Sequence, residues 1–530
     1  MNYAFKKAWL HAAEAMALLA VATGAAWALP TAQAAQMTAA LVVAYALPCW
    51  IYARSRHRTP AGRAVLLAAA LWLAAIAIVA VWQATVGSGA SFAMPQLYGD
   101  ASQYYDWALA HYDGSAVRPK VTFWGYSLII VALWRILGVS IIWPVAANVL
   151  VTLLTIVLTG HMAARLVATR QARTATLAMA MIAVQAYFMS QGAQMLKEPW
   201  IYLAVTLMAY SLMPLPRSKK RTANSGQRTV DSEQWTADIE ERISDKKGIV
   251  LTTFNSLTPL TTNKETRSEK RETRSKKRET RSKIILNSQF SILNYSLLFA
   301  LGCLLLAAVR AKYINFFIIA ILLMAVANRF KQWQRYGALL AISLLCWWLG
   351  MVMTDHYTVV QQVNNVTGQG GMAAMFAPAG PYHRLLGDYF SYPVWQRLLH
   401  LPLTCAVQWI IPLPWLPDNA QPQWLSIVPR LRLGWYVLSG VVAYFYLFRS
   451  WRRGWSWMVW AGLPMMCYVG IAYITAGTVS RYILPFEPWW MTMAAATALS
   501  CWRWRSFRLF MATYVVLMAI VLAVCHALTH

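Results

Sequence analysis

Of the 19 acidic residues in this 530-residue chain, ten fall within 216–288 and nine elsewhere: Glu14, Asp100, Asp106, Asp113, Glu198, Asp355, Asp388, Asp418 and Glu487. A carboxylate near a membrane surface is where a general base is sought, because it can take the proton from a hydroxyl as that hydroxyl attacks. Asp100 is the foremost candidate. It stands in Leu97-Tyr98-Gly99-Asp100, just before Tyr104 and Ala108 at helical spacing. A capping role, with the carboxylate satisfying free N–H groups, is the structural alternative. Asp106 comes six residues on, turned roughly 240° away on a helix, toward water or a partner. Asp113-Gly114 is most simply a turn. Lys197-Glu198-Pro199 supplies another acid with a cation beside it. His111, His356, His383 and His400 could join acids around a metal, but no ligand spacing appears. The seven cysteines form no CxxC. No metal site is assigned.

The elements that hold these residues are apolar. The composition is 59% hydrophobic and 12% charged, with a mean hydropathy of +0.43. Hydrophobic runs reach about 16 to 22 residues, long enough to cross a ~30 Å hydrocarbon layer as helices. This excludes a soluble enzyme, a secreted disulfide scaffold and a disordered protein, and period-two outer-membrane strands are not the pattern. The expected fold is an all-α polytopic membrane protein of about 13–15 transmembrane helices with two larger extracytoplasmic loops. The net charge of +28 invites a nucleic-acid reading. Its distribution favours another. Arg54, Arg56 and Arg58, then Arg449, Arg452 and Arg453, then Arg503, Arg505 and Arg508 sit between apolar runs. That is the positive-inside pattern of membrane insertion, and no nucleic-acid partner is expected.

Four regions follow. Residues 1–62 form an N-terminal helical hairpin. Lys6, Lys7 and Ala32-Gln33-Ala34 look like a signal peptide, but a second apolar run begins at once, favouring a retained hairpin. Residues 63–215 form a transmembrane module with a first outer loop, 86–120. Residues 216–288 carry ETRSEKR at 265–271, ETRSKKR at 272–278 and ETRSK at 279–283. With no apolar position in the heptad there is no coiled-coil seam, so a disordered basic cytoplasmic insertion is expected; a lipid-binding tail is the functional alternative. Residues 289–530 form a second transmembrane module with an outer loop, 354–432. All the acids outside the insertion except Glu14 then face the outer side. One conflict remains. Fourteen candidate spans, 121–138 among them, return the C-terminus to the cytoplasm, whereas Arg503, Arg505 and Arg508 ask the last span to exit outward. The conflict centres on 121–190, where Arg165, Arg170 and Arg173 ask to be cytoplasmic.

The order of short motifs carries a resemblance. Gly99-Asp100, Tyr104, Ala108, Gly114 and Leu137-Gly138 come first, then Lys197-Glu198-Pro199, Arg310, and Arg481-Tyr482-Ile483-Leu484-Pro485-Phe486-Glu487-Pro488, an RY-x-x-P-x-x-P pattern. Over 63–214 and 290–500 the chain resembles the GT-C polytopic glycosyltransferases, such as the protein mannosyltransferase and aminoarabinose transferase families. It departs from them in the N-terminal hairpin, the Lys-Glu-Pro at the second acid and the insertion, and it has no WWDYG-like motif. The resemblance implies an inverting transfer of sugar from a polyprenyl-phosphate donor to a lipid, glycan or protein acceptor, at the outer face of a bacterial inner membrane. Asp100 would be the general base. Arg481 would pair with the departing phosphate, a guanidinium matching it bidentately. Glu198 would hold a sugar hydroxyl or a metal, Lys197 would pair with Glu198 or touch phosphate, and Tyr104 and Tyr482 would line the substrate site. The cofactor is unassigned, with a divalent metal left open. Membrane lipids are the surrounding partners. Two other classes compete: an O-antigen polymerase or ligase relying on His383 and Arg384, and a transporter or lipid flippase.

Overall fold

The structure, a computed structural model, describes residues 3–115, 124–167, 169–214, 294–329, 332–353, 389, 392–410, 442–443, 445–447, 449–475, 482–501 and 504–529. The chain divides into a compact unit of 1–214 with 293–530 and a second unit, 215–292. The second unit, most of the loop 354–432, Arg481 and Arg503 lie outside the described residues. Among the described residues every regular element is helical. Six helices are long and apolar enough to cross a membrane: Ala8–Ala28, Thr31–Ala53, Pro60–Ser88, Ile142–Arg165, Trp333–Val352 and Trp455–Ile474. Gly125–Leu137, Asn294–Arg310 and Lys312–Ala327 are shorter and apolar. This is the helix set of a polytopic membrane protein.

The first three helices are α1 (Tyr3–Ala28), α2 (Thr31–Ala53) and α3 (Pro60–Ala84). The start of α3 is written in its sequence: Thr59 Oγ1 accepts from the Gly62 amide at 2.9 Å and Pro60 occupies the first turn, where its missing N–H costs nothing. Trp9, Trp27, Trp50 and Trp72 are exposed on these helices, as lipid-facing side chains are. The hairpin of α1 and α2 is integral to the bundle. Glu14 of α1 meets Arg63 of α3 in a two-point ion pair, Nε to Oε1 and Nη2 to Oε2, both 2.6 Å, and Tyr45 of α2 donates to Oε1 at 3.0 Å.

Next come α4 (Asp100–Tyr112), α5 (Trp124–Leu137), α6 (Ile142–Arg165), α7 (Gln171–Ala183), α8 (Ala186–Gly192) and α9 (Glu198–Leu212). Helix α6 is the hub. It touches α2, α3, α5, α7, α8 and α9, and also a late helix, Glu487–Cys501. It is apolar on every side, and its buried Thr152, Thr155 and Thr159 hydroxyls donate back to carbonyls one turn earlier.

Within the span expected over 121–138, helix α5 is described from Trp124 to Leu137. Its 14 residues make roughly 21 Å of helix, close to the lengths of α7 and α9. It runs alongside α4 in the same direction: Ser127 donates to the Tyr104 carbonyl at 3.1 Å, and Arg135 to that of Tyr112 at 2.9 Å. It then doubles back on α6, with Tyr126 at Asn148 and Trp134 donating to the Ser140 carbonyl at 3.0 Å. Gly125 lets α5 also pack closely on the helix Asn294–Arg310, since a Cβ there would lie 1.8 Å from the Ala308 carbonyl oxygen. Tyr126, Ile130 and Trp134 are buried against these neighbours, while Ile136 and Leu137 are exposed.

The two ends of the bundle differ. At one end Thr59 and Thr176 share a hydrogen bond at 2.9 Å, His57 and His161 face each other at 6.5 Å, and Arg453 donates to the Leu166 carbonyl at 2.8 Å. This end gathers the arginines. At the opposite end the Ile141 amide donates to the Phe92 carbonyl at 3.1 Å, and the N-termini of α4 and α9 meet.

Candidate active site

The site begins at Gly99, which caps α4 at φ +61° and ψ −133°, a backbone that L side chains avoid. A Cβ there would meet nothing within 4 Å, so the demand is conformational and not one of space. Gly99 thereby takes the cap position expected of Asp100, and Asp100 becomes the first helical residue, half-buried, where the helix dipole favours its charge. Tyr104 is one turn on, sharing the face of Asp100, and is fully buried. Asp106, on the other side of α4, is exposed. Tyr105 pins the preceding loop by donating to the Ala93 carbonyl; burial first, then the charges of Asp106 and Asp113, push its hydroxyl up, so it stays a donor.

The Tyr104 ring lies 5.3 Å from Lys197 Nζ. Lys197 and Glu198 open α9 and are both buried, Glu198 at 3% exposure. Neither Glu198 oxygen accepts a hydrogen bond from a described residue. A buried carboxyl left this way is costly in a fold. The turn before it is held from below. Asn148 of α6, fully buried, donates its two Nδ2 hydrogens to the carbonyls of Gln194 at 2.6 Å and Leu196 at 2.7 Å, lies 3.1 Å from the Tyr126 hydroxyl, and accepts from Trp200 Nε1 at 2.8 Å. Tyr126 in turn packs edge-on against Tyr104 at 5.3 Å. One amide therefore ties α4, α5, α6 and the Lys197-Glu198 turn together.

The remaining members come from the second half of the chain. These are α10 (Asn294–Arg310), α11 (Lys312–Ala327), α12 (Trp333–Met353), α13 (Val394–Leu399), α14 (Leu401–Ile410), α15 (Trp455–Thr475), α16 (Glu487–Cys501) and α17 (Arg505–Thr529). Tyr202, one turn beyond Glu198, lies within electrostatic range of Glu198, Glu487, Tyr187 and Tyr313. Glu487 opens α16, is fully buried and accepts from Gln185 Nε2 at 2.6 Å; Gln185 sits in the break between α7 and α8. Tyr313 donates to the Tyr482 carbonyl at 3.0 Å. The Tyr482 ring lies 4.4 Å from the Arg310 guanidinium carbon and 4.8 Å from Lys312 Nζ.

The structure thus brings Tyr104 and Lys197 together, sets Asp100 on the same helical face as Tyr104, and places Tyr482 beside Arg310 and Lys312. Arg481 lies outside the described residues, as do His356, His383 and Arg384. His111 bonds locally, its Nδ1 2.7 Å from the Trp107 carbonyl. Among the described residues no three His, Cys, Asp or Glu side chains converge as a metal site would require. Sequence reading passed over Asn148 and Gln185. A signal existed: Asn148 is the only amide or charged side chain between Arg135 and His161, and Gln185 interrupts another apolar run. Polar groups in such runs are functional candidates by default. Chemically, the set offers a half-buried carboxylate, a buried acid with no donor among the described residues, and cations flanking an aromatic ring.

No protein-family model, curated protein or solved structure matches the chain.

Proposed function

We propose that this protein is a GT-C-like membrane glycosyltransferase of the bacterial inner membrane. It moves a sugar from a polyprenyl-phosphate donor to a lipid, glycan or protein acceptor at the outer face, with inversion. The carrying observation is the convergence, at the end of the bundle away from the arginine clusters, of the Asp100–Tyr104 face, the buried Lys197-Glu198 turn and the Arg310–Lys312–Tyr482 group. In this reading Asp100 takes the proton of the acceptor hydroxyl as it attacks the anomeric carbon. Arg310, Lys312 and Arg481 stabilise the negative charge gained by the departing lipid phosphate. Glu198 holds a sugar hydroxyl, which would satisfy a carboxylate that the described protein groups leave without a donor.

The topology belongs to the same proposal. We take α5, which packs along α4, as a helix that does not cross, and the fourteen candidate spans become thirteen. Arg54, Arg165, Arg170, Arg453 and Arg505 then all face the cytoplasm, and the last helix exits outward, as its flanking charges ask. The loops 86–120 and 354–432 are both extracytoplasmic. Supporting this are the contacts that join 57 to 161, 59 to 176 and 166 to 453.

The test is release of polyprenyl phosphate from a panel of polyprenyl-phosphate sugars by the purified protein, with membrane extract supplying the acceptor. Release from one donor supports the reading and names the sugar. Folded protein that releases nothing from any donor rejects it in favour of the polymerase or transport classes.

A further inference from the structure

The N-terminal hairpin contributes nothing to that site, yet it builds a cavity of its own. A groove of about 500 Å³ lies between α1, α2 and α3, walled by Leu18, Leu41, Val42, Leu67, Leu71 and Ala74. Its polar end is the Glu14–Arg63 pair with Tyr45, and Trp50 and Ala53 stand at the mouth. Along α3 it runs from Arg63 to Ala74, roughly 16 Å of helix rise, about half the ~30 Å hydrocarbon layer. That is the depth of one leaflet, so the groove has the reach of an acyl chain entering from the arginine end.

The charge at the mouth selects the headgroup. Arg54, Arg56 and Arg58 are exposed in the turn between α2 and α3, and from Ala15 to Gly99 the chain has no acid. Two of these arginines are fixed to groove residues. The Arg54 guanidinium carbon lies 4.0 Å from the centre of the Trp50 ring, and Arg58 Nη1 donates to the Ala53 carbonyl at 2.8 Å. Arg63 cannot serve, because Glu14 already engages its Nε and Nη2. The positive charge left over is therefore held at the rim, where a phosphate would sit once its chain filled the groove.

We infer that the α1–α2–α3 groove is a binding site for one anionic diacyl phospholipid of the cytoplasmic leaflet, its chain between the helices and its phosphate on Arg54 and Arg58. The site rests on the topology proposed above but not on the transferase chemistry.

The experiment is native mass spectrometry of the full-length protein released from nanodiscs of equal phosphatidylglycerol and phosphatidylethanolamine. The expected result is one retained phosphatidylglycerol per chain. The double variant Arg54→Gln/Arg58→Gln, confined to an exposed turn, should retain roughly tenfold less. Ala70→Phe, which fills the groove from α3, should retain none while the melting temperature in detergent holds. Equal retention of the neutral lipid, or phosphatidylglycerol retention unchanged in the rim variant, overturns the proposal. If Ala70→Phe fails to fold, the rim variant alone decides it.

Discussion

Glu14 and Glu198 are both partly or fully withdrawn from solvent, both lie on helices of an apolar bundle, and both have a basic residue beside them. Their surroundings are opposite. Glu14 accepts two short hydrogen bonds from Arg63, a third from Tyr45, and has His11 at 3.3 Å. Glu198 is 3% exposed, and no described residue donates to either of its oxygens. A satisfied carboxylate joins three helices. One without a donor among the described residues, at the start of a helix beside Lys197 and Tyr104, is the group that the proposed function reserves for substrate. The difference teaches where to look for function: what separates the two acids is the state of their hydrogen bonding, and burial alone would have ranked both as structural.

Substitutions should pull this contrast apart. Asp100→Asn is expected to have the largest effect, lowering turnover by roughly 10²–10⁴-fold, the range for loss of a general base, with no change in melting temperature. Second comes Glu198→Gln. Turnover should fall by roughly tenfold or more, while the melting temperature in detergent holds or rises, because no donor among the described residues loses its acceptor. A fall in stability together with retained activity would place Glu198 with Glu14. Asn148→Ala removes the amide that holds the Lys197-Glu198 turn from below. It should cost about 1–3 kcal/mol in a denaturation series and reduce turnover through the loosened turn. The mildest effect on activity belongs to Glu14→Gln: near-normal turnover, with a loss of about 1–2 kcal/mol in stability as Arg63 loses its partner. Reduced turnover in that variant would erase the distinction between the two acids.

The helical character and the membrane class were legible, because long apolar runs have few other uses. So was the interest of Lys197-Glu198, since acids are scarce outside the insertion. Asp100 and Tyr104 could be placed on one face from their spacing alone. What sequence could not supply was partners. Gln185 and Glu487 are 302 residues apart and meet only because α6 and α7 carry one to the other. Arg310 and Tyr482 are brought together in the same way, across a break between two helices. The reading of 121–138 turns on a different property. A helix buried under α4 and against α10 is as apolar as a spanning one, and composition does not distinguish protein neighbours from lipid. The cap of α4 was missed more narrowly: the spacing offered Asp100, but the backbone needed Gly99.

The central claim is that the Asp100 end of the bundle performs transfer chemistry. It is tested most directly by single-turnover release of polyprenyl phosphate, comparing wild type with Asp100→Asn at matched melting temperature and matched donor. The account predicts release by wild type and its loss, by roughly 10²-fold or more, in the variant. Equal release by both proteins would contradict it and take the base away from Asp100.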